Sequence, residues 1–105
     1  MKGKILAVTA GVAVMLSAIS AEARQFNGNG QAACVTEKKL DQLIDAATQR
    51  NKPAINYLLQ HGCIIPKAGV PVTVLDTTFS GKAQVRVFAN GRPIELWTVF
   101  EALSK

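Results

Sequence analysis

Asn90-Gly91, set between two strand-like runs, constrains the geometry of this chain more than any other pair of residues. A two-residue hairpin of type I′ needs positive φ at both central positions, and Asn-Gly is the pair that supplies it most readily. Residues 83–89 and 92–99 are therefore predicted to be paired antiparallel strands. The turn dictates a register. Val87 faces Ile94 and Val85 faces Leu96, which makes one face aliphatic, while the other sets Arg86 against Glu95 and Gln84 against Trp97. Opposite charges facing each other across strands contribute a few tenths to about 1 kcal/mol. Both faces agree on one register.

A third strand is predicted over 70–76, where Val70-Pro71-Val72-Thr73-Val74-Leu75 is short and β-branched, with Pro71 suited to a strand start or edge. The turn-rich stretch Asp76-Thr77-Thr78-Phe79-Ser80-Gly81-Lys82 links it to the hairpin.

Upstream, the period changes. Thr36 is a good N-cap, and Leu40, Leu43, Ile44 and Ala47 recur at the i, i+3, i+4, i+7 spacing of one buried helical face. This predicts a helix over 36–50. Asn51-Lys52-Pro53 breaks and restarts it, since proline is tolerated in a first turn. Ile55, Leu58 and Leu59 give a second helix, over 52–61, its apolar side, and Gly62 ends it. The short link makes the two helices antiparallel, so Cys34 before the first and Cys63 after the second come to the same end. A disulfide between them is expected, closing a loop of about 30 residues and stabilising the fold by roughly 3 to 4 kcal/mol in the chain-entropy model. With no Cys-x-x-Cys and a single histidine, the two cysteines are too few for a closed zinc site.

That bridge needs an oxidising compartment, and the N-terminus supplies the route. Lys2 and Lys4 precede an uncharged run from Ile5 to Ala21, and Ala21-Glu22-Ala23 has the small-x-small spacing of a signal peptidase site. Residues 1–23 are read as a signal peptide, which leaves no transmembrane segment after cleavage and a periplasmic or secreted location. Residues 24–33, polar and glycine-rich without a period, are read as a flexible N-terminal arm, and residues 34–105 as one small globular domain. The expected fold class is α+β: a two-helix antiparallel hairpin clamped by a disulfide and packed on a small three-stranded antiparallel sheet.

Residues 67–103 resemble the second half of a bacterial SH3-like (SH3b) domain. The likeness rests on Lys67-Ala68-Gly69 before Val72-Thr73-Val74-Leu75, then Val85-Arg86-Val87, Asn90-Gly91-Arg92, Trp97 and a closing Leu103. It departs from that family where the helical hairpin replaces the first strand, and where Gly81-Lys82-Ala83 stands in place of an aromatic. The resemblance implies binding, to cell-wall peptides or to other proteins, and no catalysis.

The residues themselves point the same way. The chain carries 12 Lys and Arg against 7 Asp and Glu, yet the cations are scattered, whereas a nucleic-acid footprint would cluster them. His61 sits at a helix end, where its cation suits the dipole, and no motif positions a nucleophile near it. Asp41 and Asp45, one turn apart, read as solvated surface. No enzyme, metal or cofactor is expected. The candidate partner-binding residues are Trp97, Phe88, Phe79, Arg86 and Arg92, since aromatics and arginine dominate interface anchors. The partner is read as an unidentified envelope protein or cell-wall polymer. The alternatives are an inhibitor or immunity-type protein using the 76–82 loop to block an enzyme, or an accessory subunit of an envelope complex.

Overall fold

The computed structural model describes residues 22–105. The expected leader lies outside the described residues apart from Glu22 and Ala23. The fold is α+β, with a strongly curled antiparallel sheet and two helices. The strands are β1 (Glu22–Phe26), β2 (Ala33–Cys34), β3 (Cys63–Ile64), β4 (Pro71–Thr77), β5 (Lys82–Ala89), β6 (Arg92–Val99) and β7 (Leu103–Ser104). The helices are α1 (Glu37–Thr48) and α2 (Lys52–Gln60), and a 3-10 turn, Phe100–Ala102, precedes β7. The spatial order is β3-β2-β6-β5-β4-β1-β7.

The sheet therefore has seven strands where three were expected. Three of the four additional strands are two residues long, and two residues show no alternation to read. The fourth, β1, runs through the stretch expected to be a flexible arm. It pairs with β4 through Glu22↔Val74, Ala23↔Thr73, Arg24↔Val72 and Gln25↔Pro71, and with β7 through Phe26↔Leu103. Side chains two apart share a face, so Glu22, Arg24 and Phe26 point the same way, and Phe26 is only 2% exposed. One aromatic among polar residues carries too little pattern to announce a strand. Beyond it, Gly28 has φ +75°, and a Cβ there would come within 2.6 Å of the Ala68 Cβ and 2.8 Å of its backbone nitrogen. A polar, glycine-rich segment is thus ordered by close backbone approach.

β5 and β6 pair in the register that the Asn90-Gly91 turn demands: Val87↔Ile94, Val85↔Leu96, Arg86↔Glu95 and Gln84↔Trp97. Asn90 and Gly91 have φ of 54° and 77°. The aliphatic face becomes the inner core, where Val85, Val87 and Leu96 meet Phe26, Val72, Val74, Ala33 and Leu103. Thr98, fully buried there, donates its hydroxyl to the Ala32 carbonyl at 2.8 Å, so no buried polar cost arises.

The helices lie on the other side, over the β3-β2-β6 end. Thr36 Oγ1 accepts from the Lys39 amide and Asn51 Oδ1 from the Ala54 amide, capping α1 and α2. Leu40, Leu43 and Leu58 pack with Ala32, Cys34 and Cys63, and Trp97 lies against this cluster. Cys34 and Cys63 form a disulfide, 29 residues apart in sequence, between directly opposed positions of β2 and β3. The bridge so clamps the helical hairpin and the edge of the sheet together.

Candidate interaction surface

The β4–β5 turn is held by a dense set of local hydrogen bonds. The Thr78 amide donates to the Lys82 carbonyl at 2.9 Å, and the Gly81 amide to the Thr78 carbonyl at 3.1 Å. Thr78 Oγ1 accepts from the Lys82 amide at 3.1 Å and lies 2.9 Å from Ser80 Oγ. Gly81, at φ +86°, turns its carbonyl to the Phe100 amide at 2.7 Å. Thr, Ser and Gly favour such turns because their short side chains bond to nearby backbone and glycine accepts positive φ.

Lys82 then anchors the turn to the rest of the molecule. Its ammonium lies 2.7 Å from both Asp41 Oδ1 and Glu37 Oε2 on α1. The hydrogen bond to Asp41, followed by that to Glu37, holds the Lys82 pKa above its ordinary value of 10.5. Asp41, which the sequence places on a solvated helix face, is therefore one end of a bridge between helix and hairpin.

At the apex of this braced turn, Phe79 is 112% exposed, with no side chain among the described residues covering its ring. Burying a phenylalanine yields roughly 1.5 to 3 kcal/mol, and here that gain is unused within the fold.

The other four candidate residues do not join Phe79. About 20 Å of strand separates Lys82 from Phe88, at roughly 3.3 Å per residue. Phe88, 68% exposed, sits beside the Asn90-Gly91 turn opposite Pro93, and Arg92 is in the same place, opposite Ala89. Arg86 extends toward Glu95, 3.4 Å away, and Gln84 donates to the other carboxylate oxygen at 3.2 Å. Arg86 and Phe88 line a shallow cavity of about 250 Å³ with Ala23, Pro71 and Thr73. Trp97 is elsewhere again. It stands between Gln84 and Cys34 in the sheet, half-buried against the helical cluster. The sheet face thus presents no aromatic patch built on Trp97, because α1 and α2 dock over β6.

Two surfaces escape the sequence reading. Tyr57 is exposed and stacks on His61 with ring centroids 4.1 Å apart, while His61 Nδ1 lies 2.7 Å from the Tyr57 carbonyl. Val35, Ile64 and Ile65 are exposed along the β3 edge. A groove of about 380 Å³ opens beside the helices, lined by Leu43, Ile44, Ile55, Ile65 and Gln31 among others. The run Cys63-Ile64-Ile65-Pro66 is the only sequence signal for this edge.

Among the described residues, no group of three or more His, Cys, Asp or Glu side chains is placed to hold a metal ion. No described helix is long and apolar enough to cross a membrane. Compared with protein-family models, with curated proteins and with solved structures, the chain matches none of them.

Proposed function

We propose that this chain is an exported binding module of the cell envelope that engages a protein partner through the β4–β5 turn, with Phe79 as the anchor. The observation that carries this reading is a fully exposed aromatic on a turn whose flanking residues Thr78, Gly81 and Lys82 are hydrogen-bonded in place. Pre-ordering a contact residue lowers the entropy cost of binding, and buried aromatic anchors dominate interface energetics. The disulfide supports an oxidising location, as does the cationic-then-apolar N-terminus. The likeness to SH3-like domains belongs to the same proposal, supported by the curled antiparallel sheet.

A braced projecting loop equally suits a protein that occupies an enzyme's active-site cleft, which is the form this proposal takes if the partner is an enzyme. Recognition of cell-wall polymer through the sheet has less support, since Trp97 is half-covered by the helices.

A photo-crosslinking amino acid at position 79, with position 88 as the control, tests the proposal in intact envelopes. The expected result is a discrete protein adduct from position 79 and none from position 88. Adducts from position 88 alone, or sedimentation of the protein with purified cell wall regardless of Phe79→Ala, would overturn it.

A further inference from the structure

The fold bears on where the leader ends. Two peptide bonds follow an alanine in the right region: Ala23–Arg24, with Ala21 two residues before Ala23, and Ala21–Glu22, with Ile19 two residues before Ala21. The small-x-small spacing is met at the first bond, the second has a small residue only next to the cut, and the structure distinguishes the two products.

A cut after Ala23 removes Glu22 and Ala23, and with them the Glu22↔Val74 and Ala23↔Thr73 pairs, half of the β1–β4 ladder. It also removes a counter-ion. Glu22 Oε2 lies 2.9 Å from Arg24 Nη2, and the Arg24 side chain is only 13% exposed. The guanidinium carbon stands 4.7 Å from the centre of the Phe100 ring, and Nε is buried without a hydrogen-bond partner among the described residues. The Glu22 carboxylate itself is half-exposed, so its loss matters through the covered guanidinium, which is left without its counter-ion. The new terminus would compound this, because the α-ammonium of a chain begun at Arg24 places a second positive charge on the same residue.

A cut after Ala21 leaves all of this intact. The new ammonium then falls on Glu22, an exposed residue at the start of the strand, beside its own carboxylate.

We infer that the protein that accumulates after export begins at Glu22, with the leader ending at Ala21. The inference rests on the export reading above and deepens it: β1 is part of the exported fold from Glu22 onward.

The test is to express the full chain with a C-terminal tag in a bacterial host, recover it from the periplasm, and determine its N-terminus by sequencing and intact mass. The expected sequence is Glu-Ala-Arg-Gln-Phe. A protein beginning Arg-Gln-Phe overturns the inference and leaves export standing. A protein that keeps Met1 and stays in the cytoplasm overturns the export reading itself. A second measurement addresses the physical reason directly. Two chains made without a leader, begun at Glu22 and at Arg24, are melted side by side. The longer is expected to melt about 5 °C higher, with Glu22→Gln in the longer chain reproducing part of the loss seen in the shorter. Equal melting temperatures would remove the reason for the choice and overturn the inference.

Discussion

The two sides of the sheet are stabilised by different means. The inner side is a continuous aliphatic core around Val85 and Leu96, closed by a strand, β1, that comes from the far end of the chain. The outer side is a smaller cluster around Leu40, Leu43 and Leu58, tied by a disulfide between neighbouring strands. The inner side thus depends on long-range strand pairing and shape, and the outer side on a short helical hairpin with a covalent closure. A domain of this size buries little apolar surface. Dividing that surface over two clusters leaves each one in need of a specific support.

The largest expected effect comes from removing the inner support. Phe26 is the one large side chain that β1 contributes to the core, and it touches the β7 end of the sheet through its pairing with Leu103. Phe26→Ala is expected to cost about 4 kcal/mol, as buried Phe→Ala changes do. Hydrogen exchange should show β1 and β7 amides losing protection together. A cost below 1 kcal/mol in urea unfolding would mean that residues 22–26 are the arm their composition suggests.

The outer support comes next. Replacing Cys34 and Cys63 together by alanine is expected to cost about 3 to 4 kcal/mol, the loop-closure value for a loop of this length. The loss should fall unevenly, with the amides of α1 and α2 exposed to exchange more than those of β5. Uniform loss across both sides would show that the two clusters unfold as one cooperative unit, and the contrast drawn between them would fail.

What was legible in the sequence follows the same division. The Asn90-Gly91 hairpin was readable because turn chemistry and both faces of the strands carry the same information within 17 consecutive residues, 83 to 99. The helices were readable from spacing, and the disulfide from where those helices put the two cysteines. The strand β1 was not, because its burial depends on partners more than 40 residues away: Val72 and Val74 on β4, and Phe100 and Leu103 near the C-terminus. Arg24 in particular reads as surface until Glu22 and Phe100 are seen to cover it. The candidate site shows the same limit. Phe79 and Phe88 could be named from composition, but whether Trp97 was open depended on where α1 and α2 dock, and no local pattern encodes that.

Lys82 joins the two sides, and it offers the smallest and most selective way to probe their connection. Its ammonium links the β4–β5 turn to Glu37 and Asp41 on α1, and these partners hold its pKa above 10.5 in the folded protein. A basic group whose pKa is raised by folding adds stability that is fully present below its unfolded value. That contribution is lost as pH rises through the folded value, because only the folded state then still holds the proton. The window for the loss therefore begins near pH 10.5 and extends above it. Comparing the urea midpoints of the protein and of Lys82→Met from pH 9 to pH 12 isolates the contribution of this group. The protein should be modestly the more stable at pH 9, with the difference shrinking steadily above pH 10.5. The same titration should release the turn from the helix, so exchange at the Thr78 and Gly81 amides should rise in parallel once corrected for the intrinsic pH dependence. A difference in midpoints that stays constant across the range would show that Lys82 supports the turn by packing alone, and that the bracing of Phe79 is independent of charge.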